Sequence, residues 1–423
     1  MTNGQRNIKI WGFILAILIV AGVAFSPVSG DAPFYLSVAR DISNHLVPYR
    51  DINLGYTPLM MYFNSVIWSV FGQPPYFVFV IFQYLVILLS AFLLYKISIQ
   101  SGLEKNKSVF LGILFSICIL SSDGSYINLE VYSILFVLLS YWMLPGKKYI
   151  AAGFLLGLTF FCKQYGILNF IPFLLLIFYG SDNKIKAVFQ FCLGGMIPLI
   201  FFLSYYCAIE KVAFETLLFQ LTGQGYGEKS IEASKSIIGF LNGAKVLLLM
   251  LVPLVLMRFN PLKNKVQLIL TIGLATALLP VFVQHFQHYF LNAFPYAALL
   301  IAMNWKDKEW NWPAVHISLL LVSAFLALRI VNYTEKKKTQ DQVAATLRET
   351  YPNGSVIYLK GQTNYLYVLN NYKNPVLKQA GYDYAYKTDS DFLKKYTVLT
   401  YDKIPNEIPE RILTVNNTKI YEY

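Results

Sequence analysis

The sequence predicts a polytopic α-helical membrane protein with interfacial helices in its first outer loop and a small C-terminal soluble α/β domain. Three observations predict it. Of 423 residues, 56% are hydrophobic and only 14% charged, with a mean hydropathy of +0.49; a soluble domain of this size has no use for so much apolar surface. Apolar runs of helix length recur along the chain, suited to crossing ~30 Å of hydrocarbon. Lys and Arg collect in the short gaps between alternate runs, which is the positive-inside pattern. That distribution of the net charge of +12 argues for a bilayer partner and against nucleic acid. Aromatics at 16% suit Tyr and Trp at headgroup level.

In chain order, spans are expected near Ile8–Val28, Pro75–Ile99, Ser108–Leu120, Ile127–Leu144, Tyr149–Phe161, Gly166–Gly180, Ala187–Ala208, Ile237–Met257, Val266–Val283, Tyr289–Met303 and Pro313–Val331. This makes about eleven crossings, of which Ser108–Leu120 and Tyr149–Phe161 are short enough to tilt or re-enter. The first is too long for a signal-peptide core and has no convincing cleavage site, so it reads as an uncleaved membrane helix. Cys118, Cys162, Cys192 and Cys207 lie in or beside apolar spans without metal-type spacing and read as small core residues.

The loop carrying Arg6 and Lys9, and those with Lys96, Lys105, Lys147, Lys148, Lys184, Lys186, Arg258, Lys263, Lys265 and Lys306, are assigned to the cytoplasm. The alternate loops hold Asp31, Asp41, Asp51, Asp123, Glu130, Glu210, Glu215, Glu228 and Glu232 and face outward. The N-terminus is then cytoplasmic and the C-terminus extracytoplasmic. In the first outer loop Phe34, Val38, Ile42 and Leu46 recur every four residues, one apolar stripe on a helix lying on the membrane surface. Pro58–Phe71 reads as a second interfacial helix. After Tyr333 the run Glu335–Glu349 is polar and helix-compatible. Val356–Leu359, Thr397–Tyr401 and Lys419–Tyr423 then read as strands. The expected domains are 1–332 in the membrane and 333–423 outside it.

Polar residues at a bilayer boundary are functional candidates. Asp31 stands just outside the first crossing; it is either a helix N-cap or a reactive carboxylate. Asp51 follows Arg50 and is either a second acid or a turn residue paired with that arginine. Asp123 and Glu130 flank the next outer loop, Glu130 at the start of an apolar span. Lys163 interrupts an apolar stretch at the outer boundary, for a phosphate contact or for snorkelling. His285 and His288 sit at another outer boundary, where i, i+3 spacing could put them on one helix face for hydrogen bonding to a phosphate or sugar. Tyr35, Tyr49, Tyr56 and Tyr289 are candidate walls for a donor or acceptor pocket. The acids could hold a divalent metal, but no spacing is diagnostic; no cofactor is expected to be obligatory and no metal ligand is assigned. Gly223-Gln-Gly-Tyr-Gly227 lacks the strand–turn–helix context of a nucleotide fingerprint and reads as a loop over the site.

These residues resemble those of the GT-C glycosyltransferases, in the branch of the protein O-mannosyltransferases and the lipid A aminoarabinose transferase. The resemblance covers about residues 8 to 303. It rests on Asp31 opening the first outer loop, on Val47-Pro-Tyr-Arg-Asp51 followed by Pro58-Leu59, on Glu130, on Gly153 … Gly157 … Lys163, and on His288-Tyr289 … Pro295. Ala32 departs from the usual Glu, and Tyr56-Thr57-Pro58 lacks the usual Lys, which shifts weight onto Lys163, Arg50 and the histidines. The resemblance implies a plasma-membrane enzyme. Its donor would be a polyprenyl-phosphate-linked sugar and its acceptor an outer-leaflet glycolipid, a surface polysaccharide or a protein. A single displacement with one base inverts the anomeric centre. Asp31 would be that base, with Asp51, Asp123 and Glu130 as acceptor-orienting acids and Lys163, Arg50, His285 and His288 on the donor phosphate. The alternatives are a transporter or flippase of a lipid-linked saccharide, and a surface-polysaccharide polymerase or ligase.

Overall fold

The structure is a computed structural model that describes residues 3–52, 54–221, 237–283, 285–306, 312–353, 355–360, 365–370, 372, 397–400, 409, 411–415 and 418–422. Among these the helices are α1 Asn3–Phe25, α2 Ala32–Ser43, α3 Leu59–Phe71, α4 Tyr76–Gln100, α5 Lys105–Ser121, α6 Leu129–Met143, α7 Tyr149–Cys162, α8 Phe170–Gly180 and α9 Lys184–Leu203. They continue with α10 Phe214–Leu221, α11 Ile237–Leu256, α12 Lys265–Val283, α13 Phe294–Lys306, α14 Trp312–Thr350 and the short α15 Leu366–Leu369. Five helical stretches are long and apolar enough to cross a membrane: Gln5–Phe25, Tyr76–Gln100, Lys184–Ile209, Lys265–Val283 and Val315–Thr350. Shorter apolar helices accompany them. The chain is a multi-pass helical membrane protein.

Three expected spans are built differently. Those at Gly166–Gly180 and Tyr289–Met303 begin as 3-10 turns, Gln164–Asn169 and Gln287–Ala293, before α8 and α13. The span expected at Pro313–Val331 and the polar helix after it are one 39-residue helix, α14. Nothing stops it: Pro313 sits harmlessly in its first turn, and no Gly or Pro follows until Pro352.

The chain forms two compact units. One comprises Met1–Ala24, Ile81–Ser204 and Ala233–Ile330; the other comprises Phe25–Val80, Tyr205–Glu232 and Val331–Tyr423. The second unit thus joins the segment after Ile330 to Phe25–Val80, which the expected division at 332/333 had kept apart.

In the first unit α7 crosses α9 through glycines. A Cβ on Gly153 would run into the Phe191 carbonyl, one on Gly194 into that of Ile150, and one on Gly157 would stand 2.8 Å from the Gly195 carbonyl oxygen. Only glycine lets the two backbones approach so closely, the small-residue device of membrane helices. Gly153→Leu is expected to force the helices apart at a cost of about 3 kcal/mol or more. It should show as loss of monodisperse protein in detergent, whereas Leu155→Ala should purify normally.

In the second unit α2 and α3 pack together, with the Trp68 indole donating to the Leu36 carbonyl at 3.1 Å. Gln340 of α14 exchanges two hydrogen bonds with the Val28 backbone, at 2.8 and 3.1 Å. Arg40, on the polar side of α2, donates to the carbonyls of Tyr367 and Tyr372 at 3.0 and 2.9 Å, tying these two residues to that helix. The strands β1 Tyr358–Lys360, β2 Val398–Thr400, β3 Arg411–Val415 and β4 Thr418–Glu422 form one sheet in the order β1-β2-β4-β3. The first pair is parallel and the rest antiparallel. Leu359, Leu399 and Ile420 are its buried residues. Strand β3 is not among the runs expected from sequence.

Burial beside Arg40 has a measurable consequence. Asp41 is held up to about 6 chiefly by desolvation, which the Arg40 charge only partly offsets. Its folded value lies above the unfolded one, so the native state binds the extra proton between about pH 4 and 6 and stability falls as pH rises through that window. Asp41→Asn is therefore expected to raise the unfolding midpoint at pH 7.5, by on the order of 2–3 kcal/mol at most. The gain should vanish near pH 4, as thermal unfolding in detergent at the two pH values would reveal.

Candidate functional site

The first unit gathers ionisable side chains from separate stretches of the chain. Asn128 caps α6, its side chain accepting from the Glu130 amide at 3.2 Å, so Glu130 lies in the first turn of that helix with no solvent exposure. Lys163 follows α7 in an extended conformation (φ −156°), which turns it out of the helix and into the interior at 3% exposure. Its Nζ lies 3.0 Å from Glu130 Oε1 and 4.9 Å from the centroid of the Tyr289 ring. Two ionised groups so deeply buried are tolerable only as partners, because either alone carries a large desolvation penalty.

The 3-10 turn after Lys163 is tightly built. Gly166 passes so close to the Thr159 carbonyl that a side chain would collide with it. Thr159 Oγ1 and Asn169 Nδ2 both donate to the Gly166 carbonyl at 3.0 Å, and Tyr296 donates to Asn169 Oδ1 at 2.7 Å. This locks the backbone on the C-terminal side of the lysine.

His288 enters from the 3-10 turn before α13. Its Nε2 lies 3.9 Å from Glu130 Oε1, and its Nδ1 lies 3.8 Å from Asp123 Oδ2. The ring is stacked on Phe286 and meets Tyr289 edge-on, with centroids 4.5 Å apart. Tyr165 closes on the other side of Tyr289 at 5.2 Å. Both Glu130 oxygens and His288 Nε2 are buried without a hydrogen bond among the described residues. A buried acceptor left so is a place for water or ligand. The loop that carries Asp123 hangs from α4: Gln83 donates to the carbonyls of Gly124 and Tyr126 and accepts from the Asn128 amide at 2.7 Å.

The expected pairing of the two histidines on one helix face does not form. His285 precedes the 3-10 turn and packs edge-on against Phe240, with ring centroids 5.6 Å apart, while only His288 faces the acids. The reason is local: the backbone enters a 3-10 turn at Gln287, so α-helical periodicity does not apply across the pair.

The second unit holds the other candidates. Asp31 precedes α2 and makes no capping bond with its side chain; its Oδ2 instead accepts from the Tyr35 hydroxyl at 2.9 Å. Tyr35 meets Tyr56 edge-on at 5.7 Å, and Phe34 lies 5.9 Å from the same ring. Tyr49 is buried with φ +67°, and its hydroxyl donates to the Tyr56 carbonyl at 2.6 Å. Gln220 fixes this turn by donating to the Tyr49 carbonyl and accepting from the Leu54 amide. Arg50 is committed to two carboxylates, Asp51 at 2.8 Å and Glu210 at 2.6 Å, and Asp51 also accepts from the Val47 amide at 2.9 Å. Asp51 is thus the local partner of Arg50 in a turn. The glycine-rich segment Gly223–Gly227, with Glu228 and Glu232, lies outside the described residues.

Sequence reading missed Arg329, Tyr126, Tyr165 and Gln83. Two had a usable signal. Arg329 is the one formal charge in the stretch from Trp312 to Tyr333, and Gln83 is the one amide of α4 before its last residue, Gln100.

The fold is one seen in solved structures. The chain matches the crystal structure of ArnT from Cupriavidus metallidurans bound to undecaprenyl phosphate, with a TM-score of 0.61 at 10% identity over 88% of this chain and 85% of that one. The same protein in the apo state gives a TM-score of 0.63 at 10% identity, covering 88% of this chain and 86% of the other. The architecture is therefore the GT-C, ArnT-like one that the sequence resemblance implied. No family model matches the sequence, and no curated protein does.

Proposed function

We propose that this chain is an integral membrane glycosyltransferase that moves a sugar from a polyprenyl-phosphate donor to an outward-facing acceptor: a glycolipid, a surface polysaccharide or a protein. The observation that carries the reading is the buried Glu130–Lys163–His288 cluster in a chain whose fold is shared, over 88% of its length, with an undecaprenyl-phosphate-bound ArnT. A lysine in an apolar interior is a recognition device for an anion, and Glu130 is its partner until the anion arrives. The phosphodiester of such a donor fits there: it shares the ammonium with Glu130 and accepts a hydrogen bond from His288.

The chemistry needs little else. The acceptor oxygen attacks the anomeric carbon, the bond from that carbon to the phosphate oxygen breaks, and polyprenyl phosphate leaves with the electron pair. The acceptor proton passes to a carboxylate, for which Asp31 is our assignment. One displacement inverts the anomeric centre. The leaving group is already an anion, so it calls for cationic stabilisation and no strong acid. Lys163 and His288 supply that stabilisation, with Tyr289 as part of the pocket wall. Arg50, held by Asp51 and Glu210, has a structural role in the first outer loop. We place the N-terminus in the cytoplasm and the Val331–Tyr423 segment outside a plasma membrane, following the charge alternation of the loops.

The test is transfer by the purified protein in nanodiscs, with polyprenyl-phosphate hexoses and pentoses carrying a labelled sugar and an envelope extract as acceptor. A new glycosidic bond to the acceptor supports the assignment. Movement of the lipid-linked sugar across sealed vesicles with no new bond would make the chain a flippase. Turnover only with oligosaccharide donors would make it a polymerase or ligase.

A further inference from the structure

Arg329 lies on α14, in the part of that helix that belongs to the first unit, and both of its terminal nitrogens donate hydrogen bonds. Nη1 donates to the Ser121 carbonyl at 2.7 Å and, more closely still, to that of Ser122. Nη2 donates to Asp123 Oδ1 at 2.7 Å, and the group lies 5.5 Å from the centre of the Tyr126 ring. Tyr126 donates to the same Oδ1 at 2.6 Å. Both bonds fall on one carboxylate oxygen. The other, Oδ2, is the one turned toward His288 Nδ1.

We propose that Arg329 is a positioning residue for the donor phosphate: by locking Asp123 through Oδ1 it aims Oδ2 at His288 Nδ1, and so holds the opposite ring nitrogen, Nε2, toward the Glu130–Lys163 pair where the phosphate is received. A carboxylate facing one ring nitrogen favours one orientation of the imidazole, so the second nitrogen is held toward the ligand. The groups facing His288 are Asp123 from the loop after α5, Glu130 from α6, and Phe286 and Tyr289 from its own segment. Lys163 faces Glu130 and Tyr289. The contacts of Arg329 lead to Asp123 and its loop, and through Asp123 to His288. A bidentate or forked donor is needed for this, because one guanidinium must hold two carbonyls and a carboxylate at once.

The inference rests on the phosphate reading given above, and its test separates the two. The probe is a short-chain polyprenyl phosphate without sugar, titrated against the full-length protein in detergent. Wild type should bind it; if wild type does not, the phosphate reading fails, and this inference with it. Given binding, Arg329→Gln should weaken it about tenfold, while Arg329→Lys, which returns one charged donor, should recover at least about half of the lost free energy. The decisive arm is the His288→Gln background. There Arg329→Gln should add less than about a twofold loss, because its route runs through the histidine. Asp123→Asn keeps the carbonyl bonds of Arg329 but removes the charge facing His288, so it should reproduce the same pattern even if Arg329→Gln does not fold. A full tenfold loss that persists in the His288→Gln background would show that Arg329 merely braces the loop, and would overturn the proposal while leaving the phosphate reading intact.

Discussion

Asp31→Asn is expected to lower the transfer rate by about 10²–10⁴-fold, the usual contribution of a positioned general base, with the affinity for polyprenyl phosphate unchanged. The substitution is structurally mild. Asp31 makes no capping bond with its side chain, so the start of α2 loses nothing on that account. The hydrogen bond its carboxylate accepts from Tyr35 can be accepted equally by an amide oxygen. What is lost is the ability to take a proton. Single-turnover transfer with labelled donor, measured beside donor binding, separates the two effects. Turnover near that of wild type would remove Asp31 from the role of base and turn attention to the other acids of the chain.

Lys163→Met should have the largest effect on the protein itself. It strands Glu130, which is fully buried and has no hydrogen bond among the described residues, as an unpaired charge. Breaking a buried pair from one side costs about 3–5 kcal/mol, so the single variant is expected to unfold at much lower temperature or fail to accumulate. The double variant Lys163→Met with Glu130→Gln removes both charges and should regain most of the stability. It should not regain donor binding, because the cation that receives the phosphate is gone. Unfolding in detergent and lipid-phosphate titration on the same samples would read both. If the double variant bound polyprenyl phosphate like wild type, the lysine would be a structural ion pair only.

Glu130 and Lys163 illustrate how far sequence reading went. Each stood out singly, as a charge at the edge of an apolar run. The stripe Phe34, Val38, Ile42 and Leu46 foretold α2, and the runs ending at Leu359, Tyr401 and Tyr423 foretold three of the four strands. These signals are local, since periodicity and hydropathy depend on neighbours a few residues away. The misreadings were local too, but of another kind. The 3-10 turns before α8 and α13 depend on the tight approach of Gly166 to Thr159 and on a hydrogen bond from Tyr296 to Asn169, contacts that no periodicity encodes. The change from apolar to polar composition after Val331 looks like a helix end, yet α14 runs on because no Gly or Pro interrupts it there. Strand β3 shares its ladder with β4 and shows its identity only in that pairing.

From its sequence alone the chain is a multi-pass membrane protein with acidic and basic residues set at the edges of its apolar runs, because the cost of placing side chains in lipid is paid residue by residue and leaves its pattern in the order of the letters. Which charge meets which was decided only by the tertiary structure. Asp123 finds Arg329 across 206 positions of chain, and Glu130 finds Lys163 from the far end of another helix. A buried charge must have a partner, but desolvation does not specify which one; the choice belongs to the packing of helices that brings distant residues to the same place.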